Sequence, residues 1–241
     1  SKDVQLLLKD LAYGYDKVLL RDINLSIKKG NKTLIVGTSG CGKSTLFYVL
    51  MRLLYPLKGN IFIQGKNYDD LAEKSIREHF AVAFQEHHIF NLSIRDNFKM
   101  LYENITDEEI YKSLENVYLL DFVNQVGLDY IVGNDGNKLS GGQKHRLQLA
   151  ICLAKQKDII LLDEPTAGLD IKTTNNICSQ LMEKYQKQTM IITSHDISLL
   201  RFFDDIIICG EEKIIEQGNI KKLLLREDSY LNKLIRYKNF I

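Results

Sequence analysis

One stretch constrains the chain more than any other, because glycines, a lysine and hydroxyl residues follow a strand-like segment at fixed spacing. It reads TLIVGTSGCGKSTL over residues 33–46. Residues 37–44 match G-x-x-x-x-G-K-[ST], the phosphate-binding loop. Glycines let backbone N–H groups curl around phosphate oxygens, and the following helix turns its positive end toward the same anion. The alternative is a glycine-rich turn that matches by chance, and the strand before it and the apolar helix after it argue against that alternative.

We therefore predict a nucleotide site whose parts have separate tasks. Lys43 would reach the β and γ phosphates, and the Ser44 hydroxyl would ligate Mg²⁺. The backbone of the loop would surround the phosphate oxygens. The predicted loop residues are Gly37, Thr38, Ser39, Gly40, Cys41, Gly42, Lys43, Ser44 and Thr45.

Composition excludes several other classes of protein. The 241 residues can form one large α/β domain or two small ones. The net charge of +1 gives no electrostatic reason to expect nucleic acid or an anionic membrane surface. No apolar run approaches the ~18 residues that a membrane-spanning helix needs. The scattered cysteines lack metal-binding spacing, which indicates reduced thiols in a cytosolic compartment; they are Cys41, Cys152, Cys178 and Cys209.

Hydrophobic patterning predicts strands that alternate with helices, and hence a parallel α/β core. Residues 159–162 and 190–193 are continuous apolar runs of the length that a buried parallel sheet uses. From about residue 93 to 126 the character becomes helical, and Thr106 and Glu109 have the spacing of a capping box. The other expected elements are strands at 6–8, 18–27, 60–64 and 81–84, and helices at 44–55, 75–79 and 220–237.

Two carboxylates end the apolar run at residues 159–162. In a phosphate-loop enzyme, an aspartate at such a strand end holds the hydration shell of Mg²⁺, which would be Asp163 here. The adjacent Glu164 could orient or deprotonate the attacking water. The alternative is that the two acids cap the next helix, and the phosphate loop upstream favours catalysis.

A second glycine-rich stretch, LSGGQ at residues 139–143, precedes these carboxylates by about twenty residues. A serine and two glycines at a helix start form another anion-receptive N-terminus. The alternative is a plain helix N-cap with a flexible approach. The position of the stretch before the carboxylate strand favours the interpretation as an anion-binding helix start.

The order of these motifs resembles that of ATP-binding cassette (ABC) ATPases, the motor domains of ABC transporters. The resemblance covers nearly the whole chain. It implies an α/β fold: a P-loop NTPase core with a mainly parallel sheet, an antiparallel β subdomain near the N-terminus and an inserted helical subdomain. Residues 1–92 and 139–241 would form the core, and about 93–138 the helical subdomain.

The same resemblance implies roles for single residues. Tyr15 would stack on adenine, with Tyr13 as its rival. Glu164 would be the catalytic carboxylate, and His195 would contact the γ-phosphate as a second catalytic residue. Ordinary structural roles remain for the other four histidines, which are His79, His87, His88 and His145.

Further roles concern the metal and a second subunit. Gln85 resembles the glutamine that ligates Mg²⁺ or its water, beside Ser44 and Asp163. Asp170 resembles the aspartate that couples one subunit to the other. The signature residues would close over the ATP held by the second subunit; they are Ser140, Gly141, Gly142 and Gln143.

Residues 90–98, FNLSIRDNF, indicate the subtype of ABC ATPase. They resemble the exporter pattern in which a Phe is followed by S-I-R-x-N. Residues 132–136 resemble the exporter loop that communicates with the membrane domain, although Ile131 and Asn134 stand where acidic residues are usual. Residues 167–170 and 195–196 look more like importer or stand-alone subunits. Because the sequence starts at Ser1, we expect a domain excised from a longer chain with an N-terminal transmembrane domain.

The resemblance implies an ATP hydrolase that uses ATP and Mg²⁺ on the cytoplasmic side of a membrane. Its partners would be a second nucleotide-binding domain in a head-to-tail dimer and the transmembrane domains of a transporter that exports a substrate, with no nucleic acid. The alternatives are an importer-type or stand-alone ATPase subunit, a non-transport cassette, a phosphate-loop kinase and a catalytically silent cassette. The coiled coil of repair cassettes is absent, LSGGQ disfavours a kinase, and Glu164 with His195 disfavours a silent cassette.

Overall fold

The computed structural model describes residues 3–85 and 88–238, so Ser1 and His87 lie outside the described part. The strands are β1 Val4–Gly14, β2 Val18–Lys28, β3 Lys32–Gly37, β4 Lys58–Ile63, β5 Lys66–Asn67, β6 Phe80–Ala83, β7 Ile159–Asp163, β8 Thr189–Thr193, β9 Asp205–Cys209 and β10 Ile214–Asn219. The helices are α1 Lys43–Leu50, α2 Glu73–Glu78, α3 Ile94–Leu101, α4 Asp107–Glu115, α5 Leu120–Val126, α6 Gly141–Leu153, α7 Ile171–Lys184, α8 Ile220–Leu224 and α9 Tyr230–Lys238. Contacts divide the chain into a first unit (1–80, 158–164 and 187–241) and a second unit (81–157 and 165–186).

The first unit contains an antiparallel sheet in the order β2-β1-β4-β5. Apolar residues alternate with exposed ones along β2, where Ile23, Leu25 and Ile27 are buried, so one face of the sheet is a core face. This arrangement confirms the antiparallel β region that was expected near the N-terminus.

The first unit also contains the strands that carry the predicted phosphate loop and carboxylates, in the order β10-β9-β3-β8-β7. β3 pairs in parallel with β8 and β9, and β7 pairs in parallel with β8. Every residue of β7 and β8 is buried, which explains their continuous apolar runs. Because the carboxyl ends of parallel strands meet at one edge, β3, β7 and β8 deliver their following segments to the same edge.

Helix α1 is shorter than the helix expected over residues 44–55. It ends at Leu50, and Arg52 has a positive φ of 55°. The amides of Leu53 and Leu54 both donate to the carbonyl of Tyr48, at 2.8 and 3.1 Å, which closes a tight turn. The expected end at Pro56 was wrong because the chain turns before the proline is reached.

The second unit is mainly helical. Ser93, Thr106 and Ser140 cap α3, α4 and α6, and Thr106 forms the predicted capping box with Glu109. The buried Ser113 on α4 donates a 2.6 Å hydrogen bond to the carbonyl of Ala150 on α6, which fixes the two helices against each other. The predicted helical insertion is therefore present as several short, capped helices.

The C-terminal helix expected over residues 220–237 is instead two helices, α8 and α9. The side-chain amide of Asn232 donates to the carbonyls of Leu224 at 3.1 Å and Arg226 at 2.7 Å, and so satisfies carbonyls that a continuing helix would have used. Among the described residues, no helix combines the length and the apolar character needed to cross a bilayer.

Candidate nucleotide-binding site

The predicted phosphate loop connects β3 to α1 in the first unit. Gly40 and Gly42 have φ values of +78° and +97°, in the region that side chains strongly disfavour. Gly42 is also the N-cap of α1, so this helix starts without a side-chain hydrogen bond to its first N–H groups. The four other described helices of eight or more residues whose N-caps are assigned receive one, from Ser93, Thr106, Ser140 and Asp170.

The uncapped start of α1 fits a phosphate group. Its free N–H donors and its dipole both favour an anion there. A Cβ added to Gly40 would meet no atom within 4 Å, so the space beside the loop is open. The Lys43 ammonium lies at the loop and donates to the carbonyls of Gly37 at 2.9 Å and Thr38 at 3.1 Å. The loop thus has the donors, the charge and the space that a nucleotide phosphate requires.

The two tyrosines at the end of β1 differ in their exposure. Tyr13 is fully buried, and its hydroxyl donates a 3.0 Å hydrogen bond to the carbonyl of Gly42. Burial raises the pKa of Tyr13 well above its usual value, so the hydroxyl remains a donor. Tyr15 is 60% exposed and leaves its ring accessible. Only Tyr15 of the two can offer a face to a base, while Tyr13 supports the loop from beneath.

Asp163 and Glu164 stand at the end of β7, as predicted. Both are buried, and Thr193 of the neighbouring strand joins them: its hydroxyl donates to Asp163 Oδ1 at 2.5 Å and accepts from the Glu164 amide at 3.0 Å. The sequence analysis did not single out Thr193. Its one visible signal was a hydroxyl residue at the end of an apolar strand, and its function depends on the pairing of β7 with β8.

Glu164 and His195 lie in contact at this edge. His195 Nε2 is 3.1 Å from Glu164 Oε1, and the amide of His195 donates to Glu164 Oε2 at 3.4 Å. Glu164 has a positive φ of 50°, a conformation that costs a non-glycine residue about 1–3 kcal/mol. The Glu164 amide donates to the hydroxyl oxygen of Thr193 at 3.0 Å and to its carbonyl at 3.2 Å, which holds this strained residue in place. A buried carboxylate held next to a half-exposed imidazole can orient a water molecule and share its proton.

The LSGGQ stretch opens α6 in the second unit. Ser140 Oγ accepts from the Gln143 amide at 3.2 Å, and the Gln143 side chain accepts from the Ser140 amide at 2.9 Å. This capping box satisfies two of the four unpaired N–H groups of the helix start. The remaining N–H groups are those of Gly141 and Gly142. An added Cβ at Gly141 would meet nothing within 4 Å, so an anion can approach.

Gln85 and the signature glycines line one cavity of about 460 Å³ in the second unit, together with residues 167–169. Asp170 follows and caps α7, since its carboxylate accepts from the Thr173 amide at 2.9 Å and from the Thr173 hydroxyl at 2.6 Å. These hydrogen bonds lower the pKa of Asp170. The structure therefore places Gln85, Gly141 and Gly142 around one space and holds the Asp170 side chain at the start of a helix.

His145 is another residue with a role that the sequence did not reveal. Its Nε2 is hydrogen-bonded to the carbonyl of Pro165, which follows Glu164 in the chain. Burial lowers the pKa of His145, so the neutral ring that donates this hydrogen bond is favoured. His145 thus fastens α6 to the segment that leaves the carboxylates.

A metal ion at the nucleotide site would need few protein ligands. Among the described residues, no group of three or more His, Cys, Asp or Glu side chains could hold a metal by itself. Mg²⁺ in nucleotide sites takes one or two protein ligands beside the phosphates and water, and prefers oxygen. A hydroxyl at Ser44 and a carboxylate at Asp163 are suitable oxygen donors.

The loop at the end of a parallel strand, with carboxylates and a histidine at neighbouring strand ends, defines a phosphate-loop nucleotide-binding protein. Comparison with known proteins narrows this class. The family model described as ABC transporter matches residues 20–167. This chain therefore belongs to the ABC transporter family, as a nucleotide-binding domain with the P-loop NTPase fold that was expected, and the ATPase class follows from that family.

Individual relatives agree with this assignment. The chain is 35% identical over 206 residues to the beta-(1→2)glucan export ATP-binding/permease protein NdvA of Agrobacterium vitis, covering 85% of this chain and 35% of that one. It is 34% identical over 230 residues to the glutathione/L-cysteine transport system ATP-binding/permease protein CydC of Escherichia coli strain K12, covering 94% and 40%. A solved structure of a bacterial Atm1-family ABC exporter with ATP bound superposes with a TM-score of 0.90 at 29% identity, covering 98% and 42%. The chain thus spans between about a third and two fifths of these relatives.

Proposed function

We propose that the chain is the motor domain of an ABC exporter, which binds and hydrolyses ATP to drive a substrate across a membrane. The contact of Glu164 with His195, at the edge that also carries the phosphate loop, is the observation that carries the proposal. A nucleotide-binding domain without hydrolysis would not require a strained, buried carboxylate beside an imidazole. The similarity to NdvA, CydC and the Atm1-family exporter supports the exporter type.

In this proposal the residues of the first unit divide the work. Tyr15 stacks on the adenine, and residues 37–45 hold the phosphates. Ser44 would ligate Mg²⁺, and Asp163 would hold its hydration shell. Glu164 orients the attacking water, and His195 stabilises the charge that develops on the γ-phosphate, so catalysis consists of positioning and electrostatics. Gln85 keeps its proposed place as a further Mg²⁺ ligand because of its position in the motif order.

The second unit contributes to the nucleotide of another subunit. The N–H groups of Gly141 and Gly142, which the capping box leaves unpaired, together with the Ser140 hydroxyl, would bind the γ-phosphate held by the partner's loop. Gln143 holds Ser140 in position, and Asp170 would link the two subunits. ATP binding then favours the closed head-to-tail dimer, and hydrolysis reopens it.

The rest of the transporter follows from this role. The partners would be a second nucleotide-binding domain and transmembrane domains, and the domain would lie on the cytoplasmic side of the membrane. Residues 1–92 and 139–241 would form the core of one ATPase domain, and about 93–138 its helical subdomain.

Replacing the catalytic carboxylate tests the proposal. Glu164→Gln keeps the shape of the side chain and removes its negative charge, so we expect ATP turnover to fall by about 10²–10⁴-fold. ATP binding should persist, and an ATP-dependent dimer should accumulate because the γ-phosphate remains. Turnover is measured by phosphate release, and dimer formation by size-exclusion chromatography with ATP.

Glu183→Gln on the exposed side of α7 is the matched control and should keep the parent rate. If Glu164→Gln hydrolyses ATP as fast as the control, Glu164 does not act on the water and the proposed mechanism is wrong.

A further inference from the structure

Cys41 in the phosphate loop lies close to a second cysteine, Cys209. A Cβ placed at Gly37 would lie 2.8 Å from Cys41 Sγ and 3.0 Å from Cys209 Cβ, so both atoms lie within 3.0 Å of one point. Cys41 and Cys209 each shift the pKa of the other's thiol. Cys41 belongs to the loop and Cys209 ends β9, where it pairs with Gly37. Two thiols from distant parts of the chain therefore meet directly beneath the predicted phosphate site.

The surroundings make this pair chemically unequal. The neighbouring Cys209 thiol lowers the pKa of Cys41, and the Lys43 ammonium and the Lys43 amide lower it further, against the opposing effect of burial. The neighbouring Cys41 sulfur and burial raise the pKa of Cys209. Cys41 is thus the thiolate and nucleophile, and Cys209 is the thiol that stands ready as its partner. By contrast, burial alone raises the pKa of Cys152 to about 12.

A cavity in the first unit reaches Cys209 and also Gly37, the residue that adjoins the Cys41 sulfur. The cavity has a volume of about 440 Å³, and its lining includes Thr38, Ile215 and Leu234. Its mostly apolar wall and its size suit an uncharged organic molecule of several heavy atoms.

We propose that Cys41 and Cys209 form a thiol–disulfide exchange site that takes small organic disulfides and regulates nucleotide binding. The Cys41 thiolate attacks one sulfur of the disulfide RSSR and releases RS⁻. The Cys209 thiol then loses its proton and attacks the Cys41 sulfur, which releases the second RS⁻. The two RS⁻ groups take up the proton from Cys209 and the proton that Cys41 gave to the solvent when its thiolate formed. Counted from the dithiol, the protein loses two electrons and two protons, and RSSR is reduced to two RSH.

Closure of this disulfide moves the phosphate loop. Sulfur atoms in a disulfide lie about 2.05 Å apart, closer than two hydrogen-bonded thiols. Strand pairing holds Cys209 in β9. Cys41 lies in a loop between Gly40 and Gly42, and both glycines have positive φ angles, so the backbone on either side of Cys41 is outside regular secondary structure. The loop therefore shifts toward β9, and the N–H groups that would surround the phosphates turn away. We expect at least a tenfold weaker affinity for ATP.

Linkage makes the effect reciprocal. If the disulfide weakens ATP binding tenfold, bound ATP disfavours the disulfide by the same factor. For a two-electron couple, a tenfold change corresponds to about 30 mV in the reduction potential of the pair. ATP should therefore protect the thiols, and the protection should grow with the concentration of ATP until the site is full.

The experiment treats the chain with bis(2-hydroxyethyl) disulfide and measures the disulfide by mass spectrometry of peptides and the ATP affinity by titration with a fluorescent analogue. We expect a Cys41–Cys209 linked peptide, an affinity at least tenfold lower, and full recovery with dithiothreitol. Reduced Cys209→Ala should bind ATP as the parent does, and under the disulfide reagent it should stop at the mixed disulfide of Cys41, with no internal linkage. Cys152→Ala, which removes an unrelated buried thiol, should respond as the parent does.

The inference rests on the proposed function, ATP binding at the loop. ATP binding by the reduced parent protein tests that function separately from the exchange site. If the reduced chain does not bind ATP, the proposed function is wrong. If it binds ATP but the linked peptide does not form, or forms without a change in affinity, the exchange site is wrong. A parent chain that carries only the mixed disulfide of Cys41 after oxidation, as Cys209→Ala should, would also overturn it.

Discussion

Two helices of this protein begin at glycine-rich segments, and they use their N-terminal N–H groups in opposite ways. Helix α1 starts at Gly42, which has no side chain to cap it, so its donors face outward to a ligand. Helix α6 starts at Ser140, which forms a capping box with Gln143 and leaves the N–H groups of Gly141 and Gly142. The same sequence signal, glycines at a helix start, thus produces one helix start without a side-chain cap and one in which a capping box pairs two of the four N–H groups.

This difference indicates how the phosphate loop and the start of α6 can behave in the proposed ATPase cycle. The start of α1 has no side-chain cap, so its N–H groups lose a ligand partner whenever phosphate leaves. The start of α6 has its geometry set before any partner arrives, which suits a surface that docks onto another subunit's nucleotide. A pre-organised helix start loses little conformational entropy on docking.

The largest expected effect comes from adding a methyl group at the start of α1, compared with the same change at the start of α6. Gly42→Ala places a Cβ at φ +97°, 3.2 Å from the Leu19 Cβ and 3.4 Å from the Tyr13 ring. We expect the free energy of unfolding to fall by about 1–2 kcal/mol and ATP affinity to fall with it. Gly141→Ala meets nothing within 4 Å, and its stability should stay equal or rise by up to about 1 kcal/mol. Urea denaturation measures both, and equal destabilisation of the two variants would contradict the comparison.

A smaller effect is expected when the caps themselves are removed. Ser140→Ala and Thr106→Ala each abolish a capping box, on α6 and on α4, and each should lower the free energy of unfolding by about 0.5–2 kcal/mol. Their effects on turnover should differ, because only Ser140 belongs to the signature.

We expect ATP turnover to fall in Ser140→Ala and to stay at the parent rate in Thr106→Ala, measured at a temperature where both are folded. If the two variants lose turnover equally, the start of α6 acts only through stability.

The smallest effect concerns pH. The pKa of His145 is lowered by burial, so the folded protein resists protonation of a ring that the unfolded chain protonates near its ordinary pKa of about 6.5. The unfolded state then binds more protons, and stability falls as pH decreases through this value. His145→Gln, which can still donate to Pro165, should have a flatter dependence of the urea midpoint between pH 7 and 5. Parallel curves for parent and variant would show that His145 is not responsible.

Much of the candidate site was predictable because its parts are local. The phosphate loop, the strand-end carboxylates and the LSGGQ helix each depend on residues that are neighbours in the chain, so spacing alone indicates them. The element ends were less predictable. Helix α1 ends before Pro56 because of a turn at Arg52, and Asn232 separates α8 from α9 by reaching back to carbonyls of an earlier segment. β9 and β10 were not anticipated either, since nothing in their composition distinguishes them from other short apolar segments.

By itself, the sequence determined the class of fold and the family, and it predicted the phosphate loop and the acidic and histidine candidates, because these depend on residue type and short-range order. The tertiary structure decided which side chains support them. Only strand pairing brings Thr193 to Asp163 and Glu164, and only the pairing of β3 with β9 brings Cys209 to Cys41. Such contacts join residues far apart in the chain, and their energies depend on burial and distance, which local sequence patterns do not specify.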